Sequence, residues 1–368
     1  MIRIRDPLHG TVQLTDLEEK LLDSQPMQRL RGIRQLAMAY LVYPGANHTR
    51  FEHSIGTLAL ADRICKELSC DEEKTSKVRA AALLHDVGHV AFSHESEHVL
   101  MHKLGTHEEV GKRIISKGEI ADMLSESFSP SEIAELPDKP LGQIIASDIG
   151  ADRMDYLLRD SHYTGVAYGI IDSDRVCSSL SMHRNGLVLQ ERGLSAAESL
   201  LVARFTMFTT VYLHKTVRIA SRMLQQSISR AIEDGTLEPC FAVGMSDAKM
   251  LEVLCSSPKG GNLAERLRKR RLYKKAHGVP ISKLKGNATE IEEELSAKCG
   301  CEVLLDLPRL SAETKIMLEK DGRAVPLARQ SELVASLQKM QKSRLEALVI
   351  CEEKDVKKVS QSAQKLLG

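Results

Sequence analysis

With 368 residues the chain exceeds the roughly 250–300 at which a single core usually stops growing, so one large domain with a smaller companion is expected. A net charge of +1 excludes a whole-molecule field that gathers nucleic acid or anionic membrane, and 4% aromatic residues with no tryptophan leave few platforms for stacked bases. The charged opening MIRIRDPLHG and the lack of an uncharged apolar run of bilayer length predict a soluble, cytoplasmic protein whose eight scattered cysteines stay reduced.

In chain order, IRI and VQL flank the turn DPLHG and predict a strand or hairpin before a helix near Asp16 to Asp23. Met27, Leu30, Ile33 and Leu36 recur at three-residue steps, which predicts an amphipathic helix from about Pro26 to the turn YPGANHTR. Further helices are expected at Glu52 to Leu68, Glu72 to His85, Glu95 to Lys103 and Thr106 to Ser116. The stretch LGQIIASDIGADRMDYLLRDSHY reads as one long helix bent at Gly150. The β-like GLVLQ then precedes a long helix from Ser195 to Ile232.

Beyond about residue 236 strand-like runs, CEVLLDLP and EALVICEE, alternate with helical ones, SELVASLQKMQK and KDVKKVSQSAQKLL. The expected fold is mainly α, with a helical domain over residues 1–235 and a smaller α+β domain over 236–368. The basic run AERLRKRRLYKKAHG reads as the solvated face of a helix rather than an anion site.

Six of the 13 histidines fall between residues 85 and 107, a distribution that points to metal or proton chemistry. At the centre is LLHDVGH, with His85, Asp86 and His89. On a continuous helix His85 and His89 share a face while Asp86 points aside, so His85 and Asp86 can grip one cation only if the helix ends there. Gly88 supplies the place to turn. His53 upstream and Asp152 downstream are further candidates. Asp148, Asp152 and Asp155 share one helical face, where a solvated acidic stripe paired with Arg153 and Arg159 is an equal reading for Asp148 and Asp155.

The ordered strings DPLHG, QRLRGIRQL, YPGANHTRFEHSIG, LLHDVGHVAFSHESE, THEE and ADRMDYLLRDSHYTG resemble the HD-domain phosphohydrolase superfamily, most closely its deoxynucleoside triphosphate triphosphohydrolases. The resemblance implies a helical bundle whose pattern H…HD…D is met by His53, His85, Asp86 and Asp152. Two imidazoles and two carboxylates suit one divalent transition metal, Mn, Fe, Co, Ni or Zn, with Mg also admissible.

By the same resemblance His107 and Glu97 form an acid/base couple beside the scissile phosphate, while His89, His94 and Arg50 contact its oxygens. Glu97 stands where the family's vertebrate member has aspartate. Gln35 and Leu36 align with a pair that reads the 3′-hydroxyl and excludes a 2′-hydroxyl, and Arg153, Tyr156 and Asp160 with triphosphate and sugar contacts. VYLHKTVR brings His214, Lys215 and Arg218 to positions of phosphate or sugar contact, without a counterpart for the aromatic expected beside the sugar. Asp23, Gln28 and Arg31 resemble a regulatory guanine pocket at a subunit interface. His98 and His102 have no matching role and read as surface or structural.

The implied activity is hydrolysis of deoxynucleoside triphosphates to deoxynucleoside and triphosphate by a homo-oligomer, dimer or tetramer, with a possible regulatory nucleotide. Two other readings remain open: a phosphohydrolase for a nucleoside monophosphate or signalling nucleotide, and a nucleotide sensor or nucleic-acid binder with a structural metal. Near-neutral charge makes a nucleic-acid partner the weaker of these.

Overall fold

IRIRD and GTVQL form an antiparallel hairpin, β1 (Ile2–Asp6) against β2 (Gly10–Leu14), in the computed structural model, which describes residues 2–183, 186–308, 313–343 and 345–367. The Asp6 carboxylate accepts from the amides of Leu8 and His9, both at 2.9 Å, which folds DPLHG back on itself. Asp16–Asp23 is helical, as expected, and is opened by a capping box between Thr15 and Glu18.

The helix expected from Pro26 is short, spanning Gln25–Arg29, followed by a 3₁₀ turn at Leu30–Gly32. From Ile33 the chain is extended, and Arg34 bridges to Thr49. The three-residue period survives because Met27, Leu30 and Ile33 are all buried in the main core. Helix Arg50–Glu67 lies at the centre of that core, packed against Glu72–Leu84 and Ala151–Thr164. Helices His94–Leu104 and His107–Ile115 complete the histidine-rich region.

Two expected helices are broken. Pro140–Ile144 is a 3₁₀ turn, and the next helix begins only at Ala151, with Gly150 extended as its N-cap. A Cβ on Gly150 would lie 2.4 Å from the Ile145 carbonyl oxygen, so this glycine permits a tight return of the chain rather than a bend. The run from residue 195 splits into Leu194–Met207 and Lys215–Glu233 through a π turn at Phe208–Tyr212. Thr209 returns its hydroxyl to the carbonyls of Phe205 and Thr206, a bond that loosens the helical ladder at this point.

Strands from both sides of residue 235 share one sheet. β3 (Leu180–His183) pairs with β4 (Gly186–Gln190), which runs parallel to β7 (Met317–Lys320), which in turn pairs with β8 (Arg323–Pro326). A second, antiparallel sheet orders β5 (Lys274–Pro280), β9 (Glu346–Cys351) and β6 (Val303–Asp306), with helices Ala288–Cys299 and Val356–Leu367 packed on it over Ile291, Leu295, Val349 and Val359. Helix Lys215–Glu233 is tied to this part by Arg218 to Asp306, Arg222 to Glu292 and Arg230 to Glu302. No helix among the described residues is long and apolar enough to cross a membrane.

Candidate metal and phosphate site

The helix Glu72–Leu84 ends one residue before His85, so His85 and Asp86 sit in the turn that follows it and need not diverge as they would on a helix. His53 projects from Arg50–Glu67 and Asp152 from the first turn of Ala151–Thr164. The ligand atoms of His53, His85 and Asp152 lie within 4.8 Å of one another. His53 Nε2 is 3.1 Å from Asp152 Oδ1 and 3.3 Å from His85 Nε2, and Asp86 Oδ1 is 3.4 Å from His85 Nε2. Ligand atoms about 2.0–2.2 Å from one ion stand about 2.8–3.6 Å apart around it, so the spacing of His53, His85 and Asp152 fits a shared divalent cation, while Asp86 neighbours His85 but stands outside that mutually close group of three.

Contacts on the outer side of each ring fix which nitrogens face inward. His85 Nδ1 donates to the Ala82 carbonyl at 2.8 Å and His53 Nδ1 to Asp155 Oδ2 at 2.7 Å, leaving both Nε2 atoms toward the centre. Burial opposes charge on His53, yet its hydrogen bonds to Asp152 and Asp155 outweigh burial and raise its imidazole to about 10. The positive charge those carboxylates favour is the charge a metal ion would supply. Burial likewise disfavours an ionised Asp86, but Arg50, His85 and His89 hold its carboxyl well below the usual range.

Asp155 is a fully buried hub. It accepts from His53, from His9 Nε2 at 2.6 Å, and from Arg159 through two bonds of 2.9 Å, while Arg159 reaches Asp6 at 3.0 Å. A Cβ on Gly56 would fall 1.9 Å from Asp155 Oδ1, so only glycine lets the helix approach this close. The helical-face pattern alone does not separate Asp155 from a solvated stripe, and no spacing marks His9. Its signal was the DPLHG string, whose histidine had no stated role. Asp148, by contrast, pairs with Arg153 at 2.8 Å and accepts from the Lys315 amide at 2.6 Å, an anchoring rather than a ligating arrangement.

Beside this centre lies a second cluster of His89, His94, Glu97 and His107. A Cβ on Gly88 would fall 2.1 Å from the His107 carbonyl oxygen, which shows how closely the HD turn meets the helix His107–Ile115. His89 and His107 stack at 3.9 Å, and His89 Nε2 is 3.2 Å from Asp86 Oδ1, linking the clusters. Glu97 takes His107 Nδ1 at 3.0 Å and His94 Nδ1 at 2.9 Å. Burial lowers the His107 pKa, but Glu97 more than compensates and the net shift is upward, whereas burial, reinforced by Arg50, drives His89 well below the ordinary range. Arg50 donates to Asp86 and to Ser93, both at 2.6 Å.

A cavity of about 1130 Å³ opens beside His94, lined on one side by Gln35, Leu36 and Tyr212 and on the other by Arg218 and Leu304 to Pro308. Gln35 Oε1 is buried without a hydrogen-bond partner among the described residues. His98 and His102 stand at its rim. Tyr212 donates to Asp160 Oδ2 at 2.6 Å, and His48 holds the other oxygen at 2.9 Å. This is an aromatic in the cavity where none was expected from VYLHKTVR, at the last residue of the π turn. His214 instead caps Lys215–Glu233 and meets Tyr43 edge-on, while Lys215 is exposed. Arg153 turns to Asp148, and Tyr156 is half-buried outside the cavity lining. Among the residues resembling a regulatory pocket, Arg31 donates to Gln28 at 2.9 Å and lies 3.5 Å over the Phe51 ring.

The HD domain family matches residues 50–160 and the HD-associated region matches residues 171–368. An uncharacterized protein of Methanocaldococcus jannaschii is 42% identical over 277 residues, 74% of this chain and 58% of its own length. A deoxynucleoside triphosphate triphosphohydrolase SAMHD1 homolog of Dictyostelium discoideum is 27% identical over 341 residues, 82% of this chain and 65% of its own. The chain thus spans little more than half to two thirds of these relatives. Among solved structures, a hypothetical protein from Aquifex aeolicus superposes with a TM-score of 0.84 at 32% identity, covering 98% of this chain and 99% of that one. A phosphohydrolase from Bacteroides thetaiotaomicron superposes with a TM-score of 0.79 at 25% identity, covering 96% and 100%. Together with a histidine and aspartate cluster gathered within residues 50–160, these matches place the chain in the HD-domain phosphohydrolase superfamily, as an HD domain followed by its associated region.

Proposed function

We propose that this protein is a cytoplasmic, metal-dependent hydrolase that converts deoxynucleoside triphosphates to deoxynucleoside and triphosphate. The observation that carries the reading is the contact between two clusters, one of metal-ligand composition and one of histidines around Glu97, the second of which reaches a nucleotide-sized or larger cavity through His94. His53, His85, Asp86 and Asp152 would hold one divalent transition metal, or Mg. When bound, that ion polarises a phosphoryl oxygen and lowers the pKa of water by several units.

The chain's own groups supply the rest. Arg50 offers the fixed cation for phosphate charge, and His94, whose Nδ1 donates to Glu97, can donate to a phosphate oxygen through Nε2 only in its protonated form. His107, whose pKa Glu97 raises, is the acid for the departing 5′-oxygen. Gln35 and Tyr212, the latter held by Asp160 behind it, line the sugar end. A panel of deoxy- and ribonucleotides with Mn and Mg in turn tests the reading. Release of inorganic triphosphate from dNTPs supports it, and orthophosphate from monophosphates with dNTPs untouched refutes it in favour of another phosphoester.

Two further outcomes follow from particular side chains. Leu36 closes the cavity where a 2′-hydroxyl would be desolvated without a partner, a penalty of roughly 1–3 kcal/mol. Leu36→Ala is therefore expected to raise kcat/KM for ribonucleotides relative to deoxyribonucleotides by on the order of tenfold, read from parallel assays. The pH dependence has a defined sign. Glu97 keeps the His107 pKa high, so the acid form is lost as pH rises through that raised value. Glu97→Gln removes the support, and the alkaline limb of the kcat profile is expected to move to lower pH.

A further inference from the structure

We propose that Asp247, in the HD-associated region, is a positioning residue that clasps the two loops on which the phosphate and sugar ends of the site are built. The inference rests on the reading of this site as a phosphohydrolase site and goes beyond it by assigning the associated region a part in site geometry.

The turn that carries the HD motif into the histidine helix is strained. Phe92 and Ser93 both have positive φ, +59° and +53°, a region that side-chain-bearing residues seldom occupy and that persists only when the surroundings enforce it. Asp247 is what faces it. Its carboxylate is 2% exposed, and Oδ1 accepts from the Phe92 amide at 2.7 Å. The other oxygen, Oδ2, accepts from the Arg34 amide at 3.0 Å, with the Arg34 guanidinium 3.6 Å away.

The ring of bonds then closes. Ser93 donates its hydroxyl to the Arg34 carbonyl at 3.3 Å, so the two loops are fastened both to Asp247 and to each other. The same Ser93 oxygen accepts from Arg50 Nε at 2.6 Å and thereby orients the guanidinium that reaches Asp86. Phe92 lies two residues before His94, and Arg34 directly precedes Gln35 and Leu36. One carboxylate thus sets the spacing between groups assigned to phosphate and groups assigned to sugar. Packing supports the bond pattern, since a Cβ on Gly32 would fall 2.7 Å from Ser246 Cβ.

Asp247→Asn keeps the shape but leaves one amide N–H facing an NH₂ group. In the Mn-loaded full chain it is expected to retain metal content while losing about 10–100-fold in kcat/KM for dGTP. A crystal structure of the variant should show Phe92 and Ser93 relaxed from positive φ and Arg50 moved away from Ser93. Combining Asp247→Asn with Ser93→Ala should cost little more than the larger single loss, because both act through one turn. The proposal is overturned if the turn is unchanged in the crystal, if kcat/KM stays within about twofold of wild type, or if the two single losses multiply. Should Asp247→Asn fail to fold, Gly32→Ala displaces Ser246 without altering charge, and unchanged kinetics in that variant overturns the proposal as well. A wild-type protein that hydrolyses no nucleotide defeats the functional reading alone, since the crystal structure of the variant still decides the clasp.

Discussion

His85→Ala is expected to yield a folded protein that no longer retains its divalent ion and hydrolyses its nucleotide at least about 10³-fold more slowly, the loss implied by removing several kcal/mol of charge stabilisation. His85 is the informative ligand to remove because its outer contact is a single backbone carbonyl. Asp86 would be a poorer choice, since its loss strands Arg50, which is buried against it. Metal content by mass spectrometry and turnover with Mn are the direct measurements. Melting adds an independent one: ion binding to the folded state alone stabilises by mass action, so chelation should lower the wild-type Tm towards that of the variant and leave the variant's unmoved. A His85→Ala protein with full metal content and activity would remove the basis for the site.

Asp155→Ala should produce the largest loss of stability. Arg159 is 0% exposed and would keep only Asp6, while His53 and His9 would lose the acceptor that fixes their rings. Breaking a buried ion pair by removing one partner costs about 3–5 kcal/mol, because the remaining charge stays desolvated. Urea unfolding of the metal-free protein measures this part. Metal affinity of whatever remains folded should fall by about 10–100-fold, since the ring of His53 is no longer held with Nε2 toward the ion. A change below about 1 kcal/mol would show that the Arg159 to Asp6 contact suffices to keep the hub neutral.

The candidate ligands are legible in the sequence through the ordered pattern H…HD…D, and each of them sits at a helix end or first turn. The HD pair follows an apolar helix and precedes a glycine, His53 falls one turn into a helix opened by a threonine and glutamate capping box, and Asp152 opens another. Helix positions were legible through periodicity and caps. What escaped was set by long-range contacts. Gly150 as an N-cap depends on the Ile145 carbonyl behind it, and the break at Phe208–Tyr212 depends on threonine hydroxyls that bond backwards. Tyr212, which lines the cavity, is the last residue of that break. Asp247 lies 155 residues from the amide it holds, and no spacing rule connects the two.

The cavity has two walls of different origin, one continuous with the histidine cluster and the other made by residues 304–308 and the arginine-bearing helix they grip. Selection can therefore remodel what is admitted through sequence change far along the chain while the candidate ion ligands stay fixed. In such a layout, relatives with the same HD motif need not share a substrate, and the associated region is where their differences would be written.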